Sequence, residues 1–167
     1  MKQDNWQKQK QHILKELDEC MDFLITRTTH YIIEHCYSCA VPGYLIVSTI
    51  DEVDSISTLS APAQSQLGSV LALAVELVTD VVQPLKVYCA QFGEEDARLH
   101  FHVFPRSGEM TARFIKEFPE QDQLIHGPLL LDWARSAFSA SNEEVWSIAR
   151  SVVERMKLHR KASQKNN

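Results

Sequence analysis

A chain of 167 residues is long enough for one domain with a substantial core. Its 44% hydrophobic content is ordinary for a soluble globular protein, and no apolar run approaches the length expected of a bilayer span. The net charge of −5 argues against a nucleic-acid partner held by bulk electrostatics.

The first residues, Met1-Lys2-Gln3-Asp4-Asn5-Trp6, are polar and lack the apolar region of a secretory signal, so a cytoplasmic location without a membrane partner is expected. From Gln7 to Thr26, the residues Ile13, Leu14, Leu17, Met21, Leu24 and Ile25 recur at helical spacing and predict a first helix. Residues 28–39 hold Tyr31-Ile32-Ile33, a predicted strand, and Pro42-Gly43 turns the chain into a second strand over 44–48. Residues 51–60 are polar and loop-like. Ser60 can cap a helix, Pro62 suits a first turn, and Leu67, Val70, Leu71, Ala74, Leu77, Val78 and Val81 make one apolar stripe that Pro84 stops. Residues 86–92 and 99–104 predict two antiparallel strands joined by the short acidic turn Gly93-Glu94-Glu95-Asp96-Ala97.

Beyond Arg106 the pattern is helical. A short helix over 111–118 can take Thr111 or Ser107 as its cap, and Gly127-Pro128 opens another over 129–138. Asn142 caps a last helix carrying Val145, Ile148, Ala149, Val152, Val153 and Met156. Leu129, Leu130, Leu131 and Trp133 read as packing, and the basic run with Arg160, Lys161 and Lys165 as a solvated helix end. The predicted class is α+β, an antiparallel sheet with packed helices. Residues 1–110 hold the sheet and the first helix, and residues 111–167 form a helical extension packed on the same domain.

Cys20, Cys36, Cys39 and Cys89 do not make a disulfide framework in a chain of this size and expected compartment, so free thiols are the default reading. Cys36-Tyr37-Ser38-Cys39 is a C-x-x-C pair with no second pair, and a zinc site would have to recruit His30, His35 or a distant histidine. No metal or other cofactor is expected. His12, His30, His35, His126 and His159 read as surface or packing residues.

The most informative stretch is Leu99-His100-Phe101-His102-Val103-Phe104-Pro105-Arg106. Successive strand side chains point to opposite faces, so His100, His102 and Phe104 share one side with Arg98. Leu99, Phe101 and Val103 share the other and can enter a core. A cation and two imidazoles on one rigid face suit an anion, phosphate above all. Taken alone, the His-x-His pair also fits partly buried strand histidines or an accidental chelate. No P-loop, dinucleotide fingerprint, nucleophile elbow or zincin motif competes, and five glycines cannot build a glycine-rich phosphate cradle.

Residues 42–106, 65 of the 167, resemble the histidine triad (HIT) family of nucleotide hydrolases and transferases. Pro42-Gly43-Tyr44-Leu45-Ile46-Val47 is similar to its glycine turn and apolar strand, and a Ser-Leu-like element follows at 55–59. After the long helix, Val87-Tyr88-Cys89-Ala90-Gln91-Phe92-Gly93 leads into the histidine strand, as it does in the family. The resemblance implies a HIT-like sheet, a purine nucleotide or related small molecule as substrate, and a homodimer.

It also implies that His100 attacks the α-phosphorus to form a nucleotidyl-histidine, with His102 near the phosphoryl oxygens. A neutral imidazole is a competent nucleophile when its other nitrogen has a fixed acceptor, which a carbonyl of the same strand can supply. Arg98 stands in place of the first histidine; it is no general base, but its fork can grip phosphate. Gln91 resembles the polar residue that relatives place near ribose or phosphate. Arg106 is a candidate substrate contact, or alternatively one half of a structural ion pair where the chain turns.

Two further departures stand out. Tyr44 follows the glycine where many members have histidine, and Thr49-Ile50-Asp51-Glu52 replaces a basic segment. Carboxylates there disfavour polyphosphate, so phosphoramidates or small leaving groups fit better. The expected function is that of a hydrolase or nucleotidyl transferase acting on a nucleoside phosphate ester, anhydride or phosphoramidate. The alternative is a catalytically weak or inactive nucleotide-binding module with the same fold.

Overall fold

A computed structural model of the chain describes residues 22–92 and 97–165. Its strands are Leu24–Arg27 (β1), Tyr31–His35 (β2), Leu45–Thr49 (β3), Lys86–Ala90 (β4) and His100–Arg106 (β5). Its helices are Ala61–Val82 (α1), Gly108–Glu117 (α2), Gly127–Ala137 (α3) and Asn142–Lys165 (α4). The strands form one antiparallel sheet in the order β1-β2-β3-β5-β4. The α+β class expected from the sequence is the one observed.

Period-two alternation sorts the sheet into two faces. Ile33 lies opposite Val47 and Val47 opposite Phe101, while Leu45 lies opposite Val103, so these apolar residues share one face. That face is covered by Val70, Ala74, Leu77 and Val78 of α1 and by Val152, Val153 and Met156 of α4, which together make the main core. On the other face, Tyr44 and Phe104 pack under Met110 and Phe114 of α2 and Leu130, Trp133 and Ala134 of α3. Trp133 Nε1 donates to Glu117 Oε2 at 2.7 Å, joining those two helices. They cover one end of this face only, leaving Glu34, Ile46, Ser48, His100 and His102 around a cavity at the other.

The long helix follows its sequence signals. Ser60 Oγ accepts from the Ala63 N–H at 3.4 Å, Pro62 sits in the first turn, and Gln83 ends the helix at φ 54 just before Pro84. One expectation needs correcting. Among the described residues, α1 is long and apolar enough by length and composition to cross a membrane, with mean hydropathy 1.5 over an 18-residue stretch. Scattered polar residues such as Gln64, Ser65 and Gln66 interrupt its apolar run without lowering the average below that level. Its buried stripe lies on the sheet as a core helix.

Two local expectations also change, and one open alternative is resolved. The first helix was expected to reach Thr26, but only Asp22 and Phe23 of its described part are helical, and Leu24–Arg27 pairs with β2. Ile25 and Thr26 are buried, and β-branched residues suit a pleated ladder. The rest of that helix, with His12 and Cys20, and the acidic turn at 93–96 lie outside the described residues. Ser141, not Asn142, caps α4, its Oγ accepting from the Glu144 N–H at 3.3 Å and its carbonyl from the Val145 N–H at 3.0 Å. Ser107 rather than Thr111 caps α2, its Oγ accepting from the Met110 N–H at 3.1 Å.

The turn before β3 depends on glycine. Gly43 has φ +79, and a Cβ placed there would collide with Val82 Cγ2 of α1. Gly43→Ala is therefore expected to cost about 2 kcal/mol or more, read as a lowered denaturation midpoint with an unchanged m-value.

Candidate functional site

Three of the residues singled out in the sequence meet on the open face. Arg98, His100 and His102 line a cavity of about 270 Å³ together with Glu34, Ser48 and Arg135. The imidazoles of His100 and His102 lie edge to face, with centroids 4.9 Å apart. His100 Nδ1 is 2.8 Å from the Arg98 carbonyl oxygen. A carbonyl only accepts, so Nδ1 carries the proton and the Nε2 lone pair is available to an electrophile. The acceptor that the sequence reading asked of the backbone is thus Arg98's own carbonyl.

His102 is held differently. Its Nδ1 is 2.8 Å from the Tyr44 hydroxyl, and the Phe92 ring lies 5.5 Å from its own. Tyr44 is 1% exposed and packs edge-on against Phe104 at 5.0 Å, so the hydroxyl is fixed in position. Tyrosine after the glycine is therefore part of the site. Tyr44→Phe is expected to cost about 1 kcal/mol of stability and to leave His102 in mixed tautomers, read from imidazole nitrogen shifts by NMR.

Behind the turn sits His35, 1% exposed. The Gly43 N–H donates to His35 Nε2 at 2.9 Å, and His35 Nδ1 donates to the Cys36 carbonyl at 2.6 Å. Burial pulls its pKa down to about 4, against a smaller upward effect of the Cys36 bond. Both ring nitrogens are engaged, so His35 is a brace for the turn that delivers Tyr44.

Charge in the cavity is mixed. Burial raises the pKa of Glu34, and the Arg98 guanidinium partly opposes this. Arg98 also borders a neighbouring cavity of about 740 Å³ lined by Glu52, Asp54 and Thr58. Glu52 and Asp54 thus border a cavity that shares Arg98 with the histidine site but not the histidines themselves.

Gln91 is exposed one residue past β4, whose last residue, Ala90, pairs with His102. It does not line the cavity. Arg106 is not brought to the histidines; it ends β5 opposite Lys86, six residues and about 20 Å of strand from His100. Its Nε is buried without a hydrogen-bond partner.

Two charged residues of the cavity, Glu34 and Arg135, carry no mark in the sequence motifs above. Glu34 had a usable signal, since period two in Tyr31-Ile32-Ile33-Glu34-His35 places it on the face opposite Tyr31 and Ile33. Arg135 had none, because it arrives from α3 through tertiary packing.

No family model matches the chain, and no curated protein matches it. Solved structures do. Plasmodium falciparum diadenosine triphosphate hydrolase, solved with Cyclomarin A, is similar at TM-score 0.54 and 10% identity, over 81% of this chain and 76% of that one. A Hit-like protein involved in cell-cycle regulation from Bartonella henselae is similar at TM-score 0.53 and 12% identity, over 81% of this chain and 84% of that one. The NitFhit protein of C. elegans is similar at TM-score 0.52 and 15% identity, over 80% of this chain and 27% of that one. This chain spans 66% of a histidine triad protein from Bradyrhizobium japonicum, at 17% identity and TM-score 0.47. At such identities the likeness shows the fold, which is HIT-like.

Proposed function

We propose that this chain is a nucleotide hydrolase or nucleotidyl transferase in which His100 Nε2 attacks the α-phosphorus of a purine nucleotide or related substrate. The observation that carries this reading is the 2.8 Å hydrogen bond from His100 Nδ1 to the Arg98 carbonyl, which in the neutral ring places the Nε2 lone pair on an open face. Attack forms an N–P bond as the bond to the leaving group breaks. Water or another acceptor then displaces His100 and gives its proton to solvent.

His102, held by Tyr44, stabilises the phosphoryl oxygens, and the Arg98 fork neutralises their charge. Gln91, at the end of β4, is assigned to the ribose or phosphate. Glu52 and Asp54 border the neighbouring cavity that Arg98 also lines, so a long polyphosphate extending into it meets carboxylates. Phosphoramidates and other small leaving groups are the favoured substrates. The working form is a homodimer in the cytoplasm, and the reaction needs no cofactor.

A second reading, nucleotide binding without turnover, is favoured by one observation: Glu34 lies in the same cavity and interacts electrostatically with Arg98. A phosphate must compete with that carboxylate for the guanidinium. The discriminating experiment is a turnover screen at neutral pH with adenosine and guanosine phosphoramidates, an aminoacyl-adenylate mimic and a dinucleoside polyphosphate. Nucleoside monophosphate release supports the first reading. Binding by calorimetry without release supports the second, and neither binding nor release overturns both.

A further inference from the structure

The Cys36-Tyr37-Ser38-Cys39 pair has no part in the reaction just described, yet Cys36 forms part of the wall of the histidine cavity. The loop that carries the pair is pinned at both ends. The Cys36 N–H donates to the Tyr44 carbonyl at 2.7 Å, and the Ala40 N–H donates to the Phe138 carbonyl at 2.8 Å. Both thiols are buried and reduced. Cys36 Sγ lies 3.1 Å from Ser38 Oγ, and the Cys39 thiol acts on it from within the same short loop. Arg135 from α3 acts electrostatically on both sulfurs.

We propose that Cys36 and Cys39 are a modification site, a dithiol that hydroperoxides oxidise to a disulfide in the wall of the cavity. Cys36 is the attacking thiol and Cys39 the resolving one. The Cys36 thiolate attacks the terminal peroxide oxygen, the O–O bond breaks, and the departing hydroxide (an alkoxide, for an organic hydroperoxide) takes a proton to become water or the alcohol. Cys39 then attacks the sulfur of the Cys36 sulfenic acid; the S–O bond breaks and hydroxide leaves, taking the Cys39 proton as water. The peroxide is reduced and the two thiols lose two electrons.

The local chemistry favours this division of roles. The Cys39 thiol, above all, pulls the Cys36 thiol down to about 6 against the opposing effect of burial, with Ser38 and Arg135 helping. The same interaction pushes Cys39 up. Cys89 is the accessible competitor, but burial of its sulfur raises its pKa and it has no second cysteine three residues away.

Oxidation also changes the cavity. A disulfide removes the negative charge of Cys36 from beside Arg135, leaving the cavity more positive for an anion. This consequence rests on the anion-binding reading above; the disulfide itself does not.

In the test, the full chain is reduced, freed of reductant and treated with hydrogen peroxide at neutral pH, then mapped by mass spectrometry. The expected product has Cys36 linked to Cys39 before Cys89 is oxidised. Cys39→Ser is expected to trap a sulfenic acid at Cys36 that a dimedone probe captures, while Cys36→Ser leaves Cys39 unmodified. Oxidation at Cys89 first, with Cys36 and Cys39 still open to alkylation, overturns the site. If Cys39→Ser does not fold, the wild-type alkylation profile decides. A rate at Cys36 that rises through about pH 6 supports the proposal, and one that rises only above about pH 8.5 overturns it. Adenosine monophosphate is expected to bind the oxidised chain several-fold more tightly than the reduced one. Unchanged binding beside a formed disulfide overturns the electrostatic coupling alone.

Discussion

His100→Asn is expected to abolish nucleotide release, by at least about 10³-fold, while the chain folds as before. Asparagine is the informative substitution because its amide nitrogen stands near the place of Nδ1. It can keep the donor to the Arg98 carbonyl while removing the nitrogen that attacks. The position tolerates such a change because His100 is half-buried on the open face and takes no part in either apolar core. His100→Gln moves the amide toward the place of Nε2 and gives up the carbonyl bond, so it separates loss of the nucleophile from loss of its orientation. In the wild type, a rapid base quench of a reaction with radiolabelled nucleotide should trap label on the protein, and acid should release it, as expected of an N–P bond. His102→Ala should slow turnover and leave that labelled adduct detectable. Full activity in His100→Asn sinks the covalent assignment, whichever substrate the screen identifies.

The histidine strand is legible in the sequence because one rule, period two, does two things at once. It sends Leu99, Phe101 and Val103 into the main core and keeps His100 and His102 together on the opposite face. The long helix is legible for a similar reason, with Ser60 and Pro84 marking its ends and a single apolar stripe between them. Where one segment satisfies two rules, the reading fails. Leu24 and Ile25 extend the helical spacing of the residues before them, yet four residues are too few to separate period 3.6 from period two, and pairing with β2 decides the matter. Ser141 and Asn142 are both good caps, and only backbone geometry chooses between them. Arg135 is a harder case. Its place in the cavity depends on how α3 seats over Tyr44 and Phe104, which no local pattern encodes. Arg106, open in the sequence between a substrate contact and a structural role at the turn, stands about 20 Å from His100, because adjacency in sequence becomes separation along an extended strand.

Acidification is expected to destabilise the fold by about 3 kcal/mol through His35 alone. The ring is 1% exposed and its Nε2 accepts the Gly43 N–H, so a proton there would break that bond and leave a charge without water. Burial sets its folded pKa at about 4, below the usual 6.5. Between these values the unfolded chain holds a proton that the folded chain does not. The stabilising contribution is therefore complete above about pH 6.5 and is lost as the pH falls through about 4. Glu34 opposes this in the acid range, because its raised pKa makes the folded chain take up a proton earlier than the unfolded one. His35→Gln separates the two effects: its amide oxygen can still accept from Gly43, but the group no longer titrates. Denaturant unfolding at a series of pH values should show a wild-type slope steeper than that of His35→Gln by up to about 1.4 kcal/mol per pH unit between about 4 and 6.5. Equal slopes would remove His35 as the acid-sensitive group. The site should register the same loss, because His35 holds Gly43, Gly43 sets the turn to Tyr44, and Tyr44 holds His102. The tautomer of His102 should then loosen in acid before the sheet unfolds, a sequence of events that imidazole NMR can follow.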